Sequence, residues 1–234
     1  CVLSLEVSFM KRKVAYDFLI PLFILWCLTM AFWFTDADIA LQQSFYSADK
    51  GWYLGDSNPW KPLYDYGNIP GLLLGAASLI LLVLGFANRK ALRYRKIALF
   101  LVVLLALGPG LITYCIFKDH WGRPRPGQLE IFGGTENFLP LWVKGGPGAG
   151  KSFPSGHASI GFYLFAPFFF LRRHAKRWAV FFLALGIGYG LFMGIGRMLQ
   201  GGHFASDVVW AGGITYLTGL LLFYIFRFDK GIWA

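Results

Sequence analysis

The sequence predicts an all-α protein, a bundle of six transmembrane helices with a short interfacial helix in the first outer loop. Three observations predict it. Of 234 residues, 56% are hydrophobic and only 15% are charged, a balance that fits a multi-span membrane protein and not a soluble domain. Six apolar stretches reach or approach the ~20 residues a helix needs to cross the hydrocarbon core. The basic residues between them gather in alternate loops, as the asymmetry of membrane insertion requires.

The six stretches cover residues 15–34, 68–87, 97–117, 156–171, 178–196 and 205–226. No internal repeat divides them. Residues 15–226 therefore read as one membrane domain, flanked by an N-terminal segment 1–14 and a cytoplasmic tail 227–234. Met10-Lys-Arg-Lys resembles a natural start, so residues 1–9 are expected to lie upstream of it. Cys27 and Cys115 fall inside apolar stretches and are read as packing residues; no cysteine spacing suggests a metal site. The fourth stretch is short. From Ser155 to Leu171 it has 17 residues, roughly 25 Å of helix at about 1.5 Å each, less than the ~30 Å core. His157 is therefore expected at or just below the headgroup level.

Loop charges set the orientation. Of 22 basic residues, 14 lie at Lys11–Lys13, in 89–96, in 172–177, or at Arg227 and Lys230. An even number of spans puts these four regions on one side, which the positive-inside rule makes cytoplasmic. The remaining eight, Lys118, Arg123, Arg125 and Arg197 among them, then face outward, and charge kept there needs a reason other than topology. The outer loop from Thr35 to Gly67 carries Trp52, Tyr53, Trp60, Tyr64 and Tyr66, which favour the interface. Its segment from Asp38 to Tyr46 reads as the interfacial helix, lying over the outer face as an anchor or a gate.

Three motifs fall on that face. Lys118-Asp119-His120-Trp121-Gly122-Arg123-Pro124-Arg125-Pro126 closes the third stretch, and Ser152-Phe153-Pro154-Ser155-Gly156-His157 opens the fourth. Between the fifth and sixth stand Arg197, His203 and Asp207. Physically these read as a phosphate site. Lys118 gives a point charge, while Arg125 and Arg197 give planar forks suited to phosphate oxygens. Ser155 and Gly156 precede an apolar run, which puts free backbone N–H groups at a helix start. His203 and Asp207 are four apart. With the last helix starting near Gly202, Asp207 accepts the proton-bearing nitrogen of His203 and leaves the other nitrogen to attack. His157 remains as general acid. Arg123 has two readings of equal standing, contact with a headgroup or second phosphate, or an ion pair such as with Asp119. Each signal alone is weak, since a boundary Arg is usually a snorkelling anchor. Their convergence on one face carries the reading.

These residues resemble the three-part signature of the type 2 phosphatidic acid phosphatases: Lys118-x6-Arg125-Pro126, Pro154-Ser155-Gly156-His157, and Arg197-x5-His203-x3-Asp207. The resemblance implies the six-helix fold of that family and a lipid phosphatase. It makes His203 the nucleophile that forms a phosphohistidine, Asp207 its support, and His157 the acid that protonates the leaving group and then activates water. It makes Lys118, Arg125, Ser155, Gly156 and Arg197 the holders of the phosphoryl oxygens. It implies no metal and no other cofactor. One position departs: Gly196 stands where the family usually has Ser. The strings at residues 117–126 and 200–209 are similar to those of bacterial lipid A phosphatases, particularly the 4′-phosphatase group. That likeness implies an inner-membrane enzyme with its site facing the periplasm and lipid A as its partner within the membrane. Phosphatidylglycerophosphate and undecaprenyl diphosphate remain alternative substrates, and a phosphotransferase an alternative activity.

Other classes fit less well. The formal charge of +10 follows from cytoplasmic loops and the outer motifs, not from nucleic-acid binding. A haloperoxidase with a similar pocket is soluble, whereas this chain is not. A transporter needs a polar path through its spans, and few intramembrane charges stand away from the outer face (Asp17 lies near the cytoplasmic end). Oligomeric state is not written in the sequence.

Overall fold

A computed structural model describes residues 2–146, 148 and 150–231, with side chains from residue 14 onward. Cys1, Pro147, Ala149 and residues 232–234 lie outside the described residues, and with them parts of the expected N-terminal segment and tail.

The described chain is helical. Helix α1 runs Val2–Phe34, followed by two short loop helices, α2 Ala37–Gln43 and α3 Trp60–Tyr66. After α4, Ile69–Ala87, the single turn α5, Arg89–Leu92, leads into α6, Arg95–Leu105. Helix α6 continues as a π-type stretch, Ala106–Lys118. Pro109 lies inside that stretch and has no N–H to give to the ladder, which favours the wider turn. Helix α7, Gly156–Phe162, a 3₁₀ turn Tyr163–Phe165 and α8, Ala166–Leu171, follow in one line. Long helices α9, Lys176–Leu199, and α10, Ala205–Ile225, complete the order.

Among the described residues, five helices are long and apolar enough to cross a membrane: Val14–Phe34, Trp60–Ala87, Arg95–Lys118, Lys176–Leu199 and Ala205–Ile225. Gly156–Leu171, expected as a sixth span, is apolar but shorter. The second span includes α3 and so starts at Trp60, eight residues before the expected position 68. The sequence pattern missed α3 because its aromatic and polar residues, with Pro62 inside, read as loop.

Helix α10 is the hub. It packs against α1, α2, α6, α7, α8 and α9. Its inner face joins Phe100, Phe162, Phe165, Phe169 and Phe223 in one aromatic core. Tyr163 is buried there and donates to the Leu101 carbonyl at 2.9 Å. Close approach around α9 depends on Gly186, Gly190 and Gly194, spaced by four on one face. A Cβ on them would stand 2.3 Å from Phe165 N, 2.4 Å from Phe162 and 2.3 Å from Val208. Small residues of this spacing let helices pack through dispersion where apolar burial gives no drive. The outer helices present bare apolar surface instead, Leu19, Phe23 and Trp26 of α1 and Leu73, Ile80 and Val83 of α4. Cys27 and Cys115 also lie on exposed surface, so neither is the core-packing residue the sequence suggested.

Candidate active site

The three motifs meet where α7, α9 and α10 end at one face. Helix α10 starts at Ala205, not near Gly202, with Phe204 as its cap residue. His203 therefore precedes the helix, and the expected same-face helical pair with Asp207 does not form. Asp207 sits in the first turn, and its Oδ2 accepts from Phe204 N at 2.8 Å and from Ser152 Oγ at 2.6 Å. His203 Nδ1 stands 3.7 Å from the same oxygen. That is ion-pair range and too long for a hydrogen bond; such contacts in unliganded sites tighten when substrate arrives.

His203 is 1% exposed. Its backbone carbonyl accepts from Gln42 Nε2 of α2 at 2.8 Å. Burial holds its imidazole down at about 3, against the pull of Asp207 and with Lys118 and Arg197 pushing the same way. The ring is therefore neutral at physiological pH, the form that can attack phosphorus. A consequence concerns stability. An unfolded His binds a proton near pH 6.5, while the folded one refuses it down to about 3. The unfolded state then gains protons first, so stability is highest above pH 6.5 and falls as pH drops below it. Thermal melting in detergent between about pH 7.5 and pH 4.5 is expected to show this fall, with a shallower slope in His203→Gln.

The cations gather around it. Lys118, at the end of the π stretch, is 8% exposed, with its Nζ 5.2 Å from the Tyr114 ring centre. Arg197, near the end of α9, is buried and donates to Gln200 Oε1, while its Nε has no partner. Its guanidinium lies 4.5 Å from the Tyr64 ring centre. The His157 ring stacks on Tyr64, 5.0 Å between centres and 21° apart in plane. Lys118, Arg125, Arg197 and His157 lie within electrostatic reach of one another, and Lys118 and Arg197 also reach His203. Arg125 is half-buried in extended backbone, its N–H tied to Gln128 Oε1 at 2.8 Å. Ser155 caps α7, and its buried hydroxyl has no partner. Gly156 follows, where a Cβ would stand 2.5 Å from the Tyr114 hydroxyl. Three unpaired buried polar atoms, Ser155 Oγ, Arg197 Nε and His203 Nδ1, belong to the second and third motifs. Buried polar atoms without partners are costly in a core; among the described residues Gln42 Oε1, Asn68 Oδ1 and Thr113 Oγ1 are others.

Arg123 takes the second of its two expected readings, an ion pair, but with partners other than Asp119. It is 0% exposed, so it offers no surface to a headgroup. Asp119 pairs with Lys151 instead, at 2.8 Å on the surface. Arg123 donates to Asp207 Oδ1 at 2.6 Å, to Asp38 Oδ2 at 2.9 Å, to Ser206 Oγ at 2.8 Å and to the Leu139 carbonyl at 2.9 Å. The guanidinium also lies 4.4 Å from the Phe204 ring centre and 5.5 Å from that of Phe138. His120 closes the π stretch, its Nδ1 2.9 Å from the Cys115 carbonyl.

Sequence reasoning missed Asp38, Gln42, Ser152, Ser206 and Tyr64 as parts of this site. A signal existed for two of them: Asp38 and Gln42 share one face of the helical segment Ala37–Gln43 and are both buried. Gly196 also gains an account. A Cβ there would stand 3.2 Å from Leu63 and 3.4 Å from Trp60, so a bare position lets α3 settle against α9 and bring Tyr64 over Arg197. Among the described residues, no three His, Cys, Asp or Glu side chains group as a metal site would need.

Comparison with known proteins agrees with the motifs. A lipid A 4′-phosphatase of Francisella tularensis subsp. novicida is 44% identical over 142 residues, 59% of this chain and 63% of that protein. A lipid A 4′-phosphatase of Rhizobium etli is 36% identical over 142 residues, 58% of this chain and 52% of that protein. A lipid A 1-phosphatase of Rhizobium etli is 29% identical over 156 residues, 62% of each chain. The matches thus span between about half and two thirds of these relatives' own length. No solved structure matches significantly. The model of the PAP2 superfamily matches residues 96–230, which hold all three motifs and more than half of the sequence, and the chain belongs to that superfamily.

Proposed function

We propose that this protein is a metal-independent lipid phosphatase that removes a phosphomonoester from lipid A through a phosphohistidine. One observation carries the reading: a buried His203 beside Asp207, within electrostatic reach of Lys118 and Arg197, with Arg125 in turn beside Lys118. His203 Nε2 attacks phosphorus while the bond to the lipid oxygen breaks. His157 gives that oxygen a proton and then takes one from the water that cleaves the phosphorus–nitrogen bond. Asp207 holds the charge that the ring gains. The three cations and the backbone N–H groups at the start of α7 meet the phosphoryl oxygens, and this electrostatic fit supplies most of the rate.

Membrane placement follows from the same chain. We read Gly156–Leu171 as a short sixth span, so that residues 15–226 form one domain with both ends in the cytoplasm. The site then lies at the periplasmic headgroup level of the bacterial inner membrane, and α2 rests at that interface. A lipid-borne phosphate reaches such a site without leaving the bilayer. The names of the relatives favour lipid A as the substrate and include both phosphate positions.

The test is a substrate panel with the full chain purified in detergent and chelator present. Lipid A is expected to release phosphate faster than phosphatidic acid, phosphatidylglycerophosphate or undecaprenyl diphosphate, at an unchanged rate with chelator. Loss of release with chelator sinks the metal-free reading. Faster turnover of another lipid moves the substrate assignment to it, and phosphate found on an acceptor alcohol makes the protein a transferase.

A further inference from the structure

Helix α2 lies outside the segment that defines the superfamily, yet it supplies a carboxylate to the catalytic core. Asp38 is 3% exposed. Its Oδ2 accepts from Arg123 at 2.9 Å and from Ser206 Oγ at 2.5 Å, and its Oδ1 accepts from Ser206 N at 3.0 Å. The other arm of Arg123 reaches Asp207. One buried guanidinium therefore joins two carboxylates, and only Asp207 stands beside His203.

We propose that Asp38 is a positioning residue that balances the charge of Arg123 and so keeps the charge of Asp207 available to His203. The inference rests on His203 as nucleophile. Asp38, Arg123 and Asp207 together carry one net negative charge. When Nε2 of a ring protonated on Nδ1 bonds to phosphorus, the ring becomes a cation. The net negative charge across from it stabilises that cation in a buried, weakly screened place. Without Asp38, Arg123 and Asp207 cancel, and the cation forms beside a neutral pair. Asp207 keeps its direction without Arg123, because Ser152 Oγ and Phe204 N both donate to its Oδ2. Gln42, one turn further along α2, holds the backbone of His203 itself. The same short helix thus sets the nucleophile's place and its electrostatic surroundings.

The experiment uses the full chain in detergent with the best lipid of the panel. Asp38→Asn keeps the size and the acceptor for Ser206 N; it removes the charge and puts an N–H donor where Oδ2 accepts from Arg123 and Ser206 Oγ. Folding is checked by melting and by size exclusion. In folded Asp38→Asn, kcat is expected to fall at least tenfold with KM within twofold, and single-turnover formation of phosphohistidine to slow by the same factor. The double variant Asp38→Asn with Arg123→Gln restores the net charge and is expected to recover most of that loss. A kcat within threefold of wild type in folded Asp38→Asn overturns the proposal, as does a rise in KM with kcat unchanged, or no recovery in the double variant. If Asp38→Asn does not fold, the double variant decides alone: kcat within tenfold of wild type supports the charge count, and a larger loss in folded protein overturns it. His203→Ala is run beside them. Activity in that variant removes the nucleophile assignment, which is a different failure from a silent Asp38.

Discussion

His203→Ala is expected to leave a folded protein that releases phosphate at least about 10⁴-fold more slowly than wild type, the scale on which loss of a covalent nucleophile acts. Folding should survive because the ring makes no hydrogen bond through Nδ1, and the backbone carbonyl still accepts from Gln42. The cost of the missing ring is a small cavity, about 1–3 kcal/mol. The measurement pairs phosphate release with acid-labile radiolabel on the protein after a brief exposure to phosphorylated lipid. Wild type is expected to carry label and His203→Ala none. Near-normal release by the variant would remove the histidine mechanism. Asp207→Asn, by contrast, is expected to retain some turnover, because the nucleophile remains and only its orientation and charge support are lost.

The second large effect is on stability. Arg123→Met fills similar volume but donates nothing. It leaves Asp38 and Asp207 facing each other in a space closed to water, with the Leu139 carbonyl also unpaired. Removing one member of a buried ionic group costs on the order of 3–5 kcal/mol, because the remaining charges have no solvent to turn to. In a chain of this size that corresponds to a fall in melting midpoint of roughly 10 °C. Arg123→Lys is expected to lose less, since one ammonium keeps the charge but cannot span two carboxylates as a planar fork does. A midpoint within about 2 °C of wild type for Arg123→Met would mean that the ion pairs contribute little to the fold.

Much of the site was legible in the sequence because its parts are local. Lys118 and Arg125 lie in one tight turn, Ser155 and His157 in one helix start, Arg197 and Asp207 at two helix ends. Residue type and spacing suffice to see such units. The helical class was legible for a similar reason, since span length and loop charge are properties of consecutive residues. What stayed hidden was pairing at a distance. Arg123 lies 84 residues from Asp207 and 85 from Asp38, whereas the partner that spacing suggested, Asp119, was four residues away. The start of α10 was misplaced by a few residues because Asp207 caps its own first turn, a detail of side-chain geometry and not of pattern. The role of α3 was hidden because it depends on a missing side chain at Gly196.

The distances along the chain between Asp38, Gln42 and their partners bear on how the protein is made. Asp38 and Gln42 leave the ribosome early, and Ser206 and His203 leave it 168 and 161 residues later. Asp38 waits 85 residues for Arg123 and Gln42 waits 161 for His203, and until then the acid and the amide must stay in water or among headgroups. Only when α10 enters does the core close over them. Contacts of such sequence separation form late and slowly. The candidate site is therefore finished by the last long helix to be synthesised, and a chain stopped short of α10 has His203 but neither Ser206 nor Asp207 to hold Arg123.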